Sequence, residues 1–212
     1  MKVDTVKESH ISILRLHVRA QIINRFARDS VPQPLIQPVI GYPTDDFSIQ
    51  NLLIFSKNAC ELGLKACKSG APILTDTEMA AAAVSNMAQN THGNPVVSIR
   101  KWIDLNQKYD LTTSSYGIEK AWLELSKNYV EEKSPVVLIG SAPTALERLL
   151  DILEDTNDKP SLIIGMPVGF IGVENAKRRL INSNLNYIVL RSTRGGASMA
   201  AATINALLRA SI

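Results

Sequence analysis

Short apolar runs alternate with amphipathic helical segments through most of this 212-residue chain, and this alternation constrains the fold more than any other feature. The runs are rich in Val and Ile and lie at Pro72–Leu74, Val96–Ile99, Val136–Ile139, Leu162–Ile164 and Tyr187–Leu190. Runs of this kind are typical of buried parallel strands that helices cover on both faces. The sequence therefore predicts an α/β fold, a three-layer α/β/α sandwich of the doubly wound kind with a five-stranded parallel sheet.

The N-terminal part has a different pattern. Apolar residues recur at three- and four-residue intervals between Ser9 and Arg28, which predicts a helix with one apolar face. Four prolines follow in the stretch VPQPLIQPVIGYP (31–43), which predicts an extended arm because proline lacks a backbone donor. Thr44–Asp46 offers N-cap side chains for a second helix that we expect to reach about Lys68. We interpret residues 1–212 as one domain, with residues 1–44 as an appendage.

This appendage bears on assembly. The apolar face of its helix and the proline arm look exposed on a lone sandwich, and large exposed apolar surface usually marks an interface. We therefore expect a homodimer with two-fold symmetry.

Charge and cysteine content exclude several classes of protein. The 23 Lys+Arg exceed the 20 Asp+Glu by only three, which is too little to indicate nucleic-acid binding but is compatible with a basic patch for an acidic small molecule. Cys60 and Cys67 lack metal-ligand spacing, and we expect buried thiols and no bound metal. No apolar run suits a signal peptide or a membrane helix, so the expected location is cytoplasmic, without membrane partners.

Four loops that follow predicted strands are candidates for binding a ligand, because ligands of doubly wound sheets bind outside the carboxyl ends of the strands. They are rich in Gly, Ser or Thr, lead into predicted helices, and comprise Thr75–Glu78, Gly140–Thr144, Gly165–Gly172 and Arg191–Ser198. Helix N-termini attract anions, and arginine pairs with carboxylates in two-pronged geometry. The loops therefore predict a site for a small polyanion, although tight turns and helix caps would produce the same composition. No GxGxxG or GxxxxGK[ST] motif is present.

Four segments carry a resemblance to a known family. GAPILTDTEM (70–79), IGSAPTALERLLDIL (139–153), GMPVGFIGVENAK (165–177) and RSTRGGASMAAATINAL (191–207) resemble, in order and spacing, the precorrin-8X (cobalt-precorrin-8) methylmutases. The resemblance extends from about Ile11 and implies a flavodoxin-like sandwich and a homodimer with its site near the interface. It also implies an isomerase of cobalamin biosynthesis that shifts a methyl group between neighbouring carbons of a tetrapyrrole polycarboxylate, without a redox or nucleotide cofactor.

The resemblance and the loops together give a set of candidate site residues. The substrate-binding candidates are Thr75, Asp76, Ser114, Ser141, Thr144, Pro167, Gly169, Phe170, Arg191, Arg194, Gly195, Gly196 and Ser198. In the family a histidine donates a proton or hydrogen bond to the macrocycle. Counting back without a gap from Ile54–Ser56 places that position on Tyr42, and one inserted or deleted residue would place it on Gly41 or Pro43. Ser114 stands where the family tends to keep an arginine of a Thr-Arg-Ser motif.

These two departures leave alternatives for the function. The side-chain pKa of free tyrosine is about 10 and that of histidine about 6.5, so tyrosine is the poorer acid at neutral pH but still donates a hydrogen bond. The chain could be an active methylmutase that uses Tyr42, or one in which His17 arrives from elsewhere in the dimer or His92 approaches from the first crossover. It could instead be a non-catalytic relative that binds a corrinoid or another polycarboxylate. A third hypothesis is a phosphate- or nucleotide-binding protein that reuses the sandwich.

Overall fold

The structure is a computed structural model that describes residues 14–21, 23, 49–104, 106–127 and 133–212. Tyr42, His10 and the proline arm lie outside the described residues. The strands are β1 (Leu53–Phe55), β2 (Ile73–Thr75), β3 (Val96–Ser98), β4 (Val136–Ile139), β5 (Leu162–Gly165) and β6 (Tyr187–Leu190). The helices are α1 (14–21), α2 (Ile49–Leu52), α3 (Ala59–Lys68), α4 (Glu78–Thr91), α5 (Thr113–Lys127), α6 (Pro143–Glu154), α7 (Val173–Ile181) and α8 (Ala197–Ala210), and a 3-10 turn spans Ile99–Trp102.

The strands form one mixed sheet in the order β1-β6-β5-β4-β2-β3. Strands β2 to β6 are parallel, coincide with the five apolar runs and have the flavodoxin-like order, so the predicted α/β sandwich is confirmed. The predicted strand count is too low by one. A sixth strand, β1, pairs antiparallel with β6, with Leu53 opposite Leu190.

The same strand corrects the predicted second helix. Instead of one helix reaching Lys68, the chain forms the single turn α2, then β1, and then α3. The run Leu53–Phe55 is too short for periodicity to distinguish strand from helix. Its conformation is set by pairing with the edge of the sheet, which continues beyond the strand where the Ser56 amide donates to the Tyr187 carbonyl at 2.9 Å.

Two apolar cores lie on opposite faces of the sheet. In β4, Val136 and Leu138 face a core formed with α1, α3, α4 and α8, whereas Val137 and Ile139 face a core formed with α5, α6 and α7. All four side chains are fully buried. This two-sided burial explains why the strands have continuous apolar sequences rather than alternating ones.

Helix α1 packs against the first core. Val18 is fully buried there, and Leu14 packs beside it. Arg15 donates hydrogen bonds to the carbonyls of Ser56 (3.1 Å) and Lys57 (3.0 Å), which fixes the helix next to β1. The expectation that the apolar face of this helix is exposed on a lone sandwich is therefore wrong at Val18.

The cysteines are free and buried, as predicted. Burial raises the pKa of Cys60 to about 11, with Arg15 partly opposing the shift, and raises that of Cys67 to about 12. Both thiols are therefore protonated and unreactive at neutral pH. Within the described ranges, no group of three or more His, Cys, Asp or Glu side chains could hold a metal ion. No helix in this part of the chain is long and apolar enough to cross a bilayer.

Candidate active site

The sheet topology brings the candidate loops to one edge. Because β2 to β6 are parallel, their carboxyl ends lie at the same edge, and each of the helices α4, α6, α7 and α8 begins there. The order of the sheet reverses between β2 and β4, since β2 leads outward to β3 while β4 leads to β5 on the other side. The loops after β2 and β4 therefore border the topological switch point, where doubly wound proteins bind their ligands.

Asp76 holds the switch point together. The residue is only 4% exposed, and its carboxylate accepts three backbone hydrogen bonds, from the amides of Gly140 (3.0 Å), Ser141 (2.6 Å) and Ala142 (2.9 Å). Burial raises the pKa of Asp76, and the three amide hydrogen bonds oppose that shift. Both carboxylate oxygens are engaged by the protein, so Asp76 organises the loop after β4, and those three amides already hold an anion.

Thr75 is likewise occupied by the protein. It is fully buried, and its hydroxyl donates to the Thr77 carbonyl at 2.9 Å. Thr77 in turn caps α4 by accepting a hydrogen bond from the Ala80 amide at 3.2 Å. The hydroxyls of these two residues therefore bond to the protein around them, and Thr75 has no exposed surface that a ligand could contact.

The N-termini of α5 and α6 meet beside this loop. The Thr112 hydroxyl lies 3.1 Å from the Thr144 hydroxyl, and the Ser115 hydroxyl donates to the Thr144 carbonyl at 3.0 Å. Ser114, half-buried in the first turn of α5, therefore lies near Thr144, while Ser141 is exposed. The structure thus brings Ser114 to the same side of the switch point as Ser141 and Thr144, which lie together at the start of α6.

The loops after β5 and β6 are hydrogen-bonded to each other. The Gly169 amide donates to the Thr193 carbonyl at 3.2 Å, and the Gly196 amide donates to the Met166 carbonyl at 2.9 Å. The two loops therefore form one unit, and a change in either would displace the other.

Close backbone packing at two glycines connects this unit to the switch point. A Cβ on Gly195 would overlap the Met166 carbonyl oxygen, so no larger residue fits there. A Cβ on Gly140 would lie 2.6 Å from the Ala197 Cα, at the start of α8. The loops that carry Ser141, Gly169 and Gly195 therefore lie at one end of the sheet, as predicted.

The exposed side chains of this end combine apolar and basic groups. Phe170 is 94% exposed and Ile171 90% exposed at the tip of the loop after β5, whereas the neighbouring Pro167 is buried. Arg191 and Arg194 are exposed on the adjoining loop after β6, and Ser198 is exposed in the first turn of α8. An apolar surface bordered by guanidinium groups suits a ligand with an apolar face and anionic edges.

Lys177, which sequence analysis does not single out, lies beneath the loop after β6. It is 2% exposed, and its Nζ donates to the carbonyls of Ser192 (2.8 Å) and Arg194 (2.6 Å). Burial lowers its pKa to about 8, and the charge of Glu174 opposes that shift. The sequence does contain a signal, because Lys177 falls on the face of α7 that otherwise carries buried apolar residues.

Neither described histidine approaches this site within its own chain. The His92 ring lies 2.8 Å from the Ser211 hydroxyl, just beyond α8, and α8 is about 21 Å long and begins at the site. The His17 ring lies 2.6 Å from Gln21, which accepts a hydrogen bond from Arg209 in the last turn of α8. Both histidines are therefore near the opposite end of the sandwich, and the hypothesis that His92 reaches the site from α4 is wrong.

A separate cavity of about 730 Å³ opens at the opposite edge of the sheet. Pro135, Ser161 and Asn186, which directly precede β4, β5 and β6, line it together with Lys65 and Lys159. None of the predicted site residues in the described part of the chain lines this cavity.

Known proteins match nearly the whole chain. The family model described as "CbiC: Precorrin-8X methylmutase" matches residues 19–210. The precorrin-8X methylmutase of Pseudomonas aeruginosa is 37% identical over 73% of this chain and 73% of its own length. The cobalt-precorrin-8 methylmutase of Salmonella typhimurium is 33% identical over 87% of this chain and 83% of its own. The crystal structure of the Thermus thermophilus precorrin-8X methylmutase superimposes with a TM-score of 0.73 and 27% identity, covering 98% of this chain and 96% of that one.

The contacts of Asp76 generate a stability prediction. Asp76→Asn replaces one accepting oxygen by an NH₂ group that faces a backbone donor, so we expect the free energy of unfolding to fall by about 1–3 kcal/mol. Urea denaturation at pH 7 measures this change. The matched control is Asp158→Asn at an exposed position, which should change stability by less than about 0.5 kcal/mol. Equal losses in the two variants would contradict the role assigned to Asp76.

Proposed function

This chain belongs to the precorrin-8X methylmutase family, and from that premise we propose that it catalyses the intramolecular methyl shift on precorrin-8X or cobalt-precorrin-8 in cobalamin biosynthesis. One observation carries the proposal beyond the match itself. The segments that resemble the family converge at the carboxyl edge of the sheet, where they present an apolar tip next to Arg191 and Arg194.

The reaction makes modest chemical demands on the protein. A methyl group leaves one ring carbon and bonds to its neighbour, so substrate and product are isomers and no co-reactant is consumed. The protein must bind the macrocycle, orient it and place a hydrogen-bond or proton donor against it. Arg191 and Arg194 are suited to the peripheral carboxylates, and Phe170 is suited to the ring face.

The loop after β4 has a different part in this proposal. Its amides at Gly140, Ser141 and Ala142 are occupied by the Asp76 carboxylate. A phosphate at that position would meet a negative charge instead of free donors, which weighs against the hypothesis of a phosphate- or nucleotide-binding protein. We propose the exposed Ser141 of this loop, Thr144 in the first turn of α6 and Ser114 in the first turn of α5 as polar contacts to the substrate.

A second candidate function is a non-catalytic corrinoid-binding protein. The two departures from the family pattern favour it: the expected tyrosine at the position of the family histidine, and Ser114 in place of an arginine. The two functions share the binding surface and differ in turnover, so an activity assay separates them.

We further propose that the protein is a cytoplasmic homodimer whose interface borders the site. Large apolar side chains are exposed at this end of the sandwich: Met79 (66%), Leu111 (42%), Val168 (46%), Phe170 and Ile171. A second copy would cover part of this surface. The free, buried Cys60 and Cys67 suit a reducing compartment, and cell fractionation tests the location.

Sedimentation equilibrium tests the assembly. We expect a mass of twice the 23.2 kDa of the chain, and Phe170→Asp should shift the equilibrium toward monomer because it places a charge in the interface. The matched control, Leu16→Asp, changes an exposed apolar residue on α1 and should leave the mass unchanged. A monomeric mass at all concentrations would contradict the proposal.

Incubation with the precorrin-8 substrate, followed by absorbance, tests the function and the role of Tyr42 together. We expect turnover by the native chain. Tyr42→Phe should abolish methyl migration while leaving binding nearly intact, because it removes only the hydroxyl donor. Tyr42→His should raise turnover, since imidazolium is the better acid near neutral pH.

The other outcomes of this assay are also informative. Native turnover that survives Tyr42→Phe would remove Tyr42 from the mechanism. Inactivity of both the native chain and the Tyr42→His variant would favour the non-catalytic function, with Ser114 as the next position to change.

The loop after β6 generates a binding prediction. Arg194→Ala and Arg191→Ala should each weaken corrinoid binding by about 1–3 kcal/mol, the range for a hydrogen bond to a charged group. Absorbance titration measures the affinity. Lys68→Ala is the control, because it removes one positive charge at the end of α3, near the opposite edge of the sheet. Unchanged affinity in both arginine variants would place the carboxylate sites elsewhere.

A further inference from the structure

Lys177 is a buried cation held by backbone carbonyls. Its side chain lies within the sandwich at 2% exposure, and its Nζ contacts two carbonyl oxygens of the loop after β6, those of Ser192 and Arg194. Within the described ranges, no carboxylate forms an ion pair with it. Burying an ammonium group without a carboxylate partner lowers the stability of the folded state. A contribution to stability therefore does not explain the presence of Lys177 at this position.

The loop that Lys177 contacts is strained at one of those two residues. Ser192 has a φ of 74°, the only positive value at a non-glycine residue in the described part of the chain. Such a conformation persists only where its surroundings fix it. Lys177 binds the carbonyls on both sides of Thr193, and the Gly169 amide binds the Thr193 carbonyl. Three consecutive carbonyls are thus held, two by Lys177 and one by the adjoining loop, which fixes the backbone that carries Arg194.

We propose that Lys177 is a positioning residue for the methylmutase site: its ammonium group fixes the conformation of residues 191–196 and adds positive charge beneath the loop that binds the substrate carboxylates. The inference rests on the proposed function for the identity of the ligand. It assigns Lys177 no contact with the substrate, since Lys177 lies under the backbone of the loop.

The charged groups around Lys177 make this role sensitive to pH. Glu174 lies one turn earlier on α7, the held loop carries Arg191 and Arg194, the loop after β5 carries no ionisable side chain, and Glu147 of α6 lies near Gly172. In the protein without ligand, burial lowers the pKa of Lys177 to about 8, and a bound polyanion would raise this pKa. The complex then holds the proton more tightly than the free protein does, so affinity for the anion must fall as pH rises above about 8.

The test compares Lys177→Met with Arg178→Met. Methionine fills the buried space without charge or donors, while the control removes a positive charge from an exposed neighbour on the same helix. The first readout is hydrogen exchange of residues 191–196 without ligand, measured by mass spectrometry at pH 7. We expect exchange to be about tenfold faster in Lys177→Met and unchanged in Arg178→Met.

The second readout is binding of hydrogenobyrinate, the product that the family resemblance implies for precorrin-8X, between pH 7 and pH 9.5. At pH 7 the Kd of Lys177→Met should be about tenfold higher than that of the wild type, with the loss of kcat/KM residing in KM and not in kcat. The wild-type Kd should rise through about pH 8, whereas the Kd of Lys177→Met should not. The dependence of the wild-type Kd on pH can be measured without any variant. The proposal therefore remains testable if Lys177→Met does not fold.

The outcomes separate this proposal from the proposed function. Loop exchange that is equal in Lys177→Met and wild type overturns the positioning role, and a wild-type Kd that is constant from pH 7 to pH 9.5 overturns the electrostatic role. Faster loop exchange in a protein that binds no corrinoid supports the positioning of the loop by Lys177 while the proposed function fails.

Discussion

The carboxylate of Asp76 is the contact on which the site depends. It joins the end of β2 to the start of the loop after β4 through three backbone amides, across the point where the strand order reverses. At such a point the two loops diverge and leave a crevice. In this protein the deepest part of that crevice is closed by an internal carboxylate. The site that we propose therefore lies above this carboxylate, on the surface formed by the later loops.

That surface has two different supports. The loops after β5 and β6 are joined by reciprocal backbone hydrogen bonds and close glycine packing, and Lys177 holds the second of them from below. Their exposed tips carry aromatic, aliphatic and guanidinium groups, which match a macrocycle whose faces are apolar and whose edges are anionic.

The sequence predicted the central architecture because the information was local. Five Val- and Ile-rich runs, each followed by a helix, define the parallel strands and place the loops after them at one edge. Strand β1 could not be predicted in this way, since three apolar residues between helical turns become a strand only by pairing with β6. The burial of Val18 also depends on tertiary contacts, because an amphipathic helix shows that it has a buried face but not which surface covers it.

For the site residues too, positions set by local sequence could be predicted, and contacts set by tertiary packing could not. Ser141, Gly169 and Gly195 were brought together as predicted, because strand ends determine their positions. Asp76 was correctly placed in the loop after β2, whereas Thr75 is the last residue of β2 itself. The hydrogen bond from the Ser141 amide to Asp76 depends on backbone that is distant in the sequence, so the sequence does not reveal it. The burial of Lys177 was not predicted from the sequence, because a lysine in a helix with many charged residues is expected at the surface until the packing of α7 is known.

The central claim is that a corrinoid binds at the carboxyl edge of the sheet, above the Asp76 carboxylate. A crystal structure of the chain with bound hydrogenobyrinate tests it most directly. We predict that the macrocycle contacts Phe170 and that its carboxylates lie within hydrogen-bonding distance, about 3 Å, of groups in residues 191–196. A macrocycle bound instead in the cavity between Lys65 and Lys159, at the amino ends of the strands, would contradict the account.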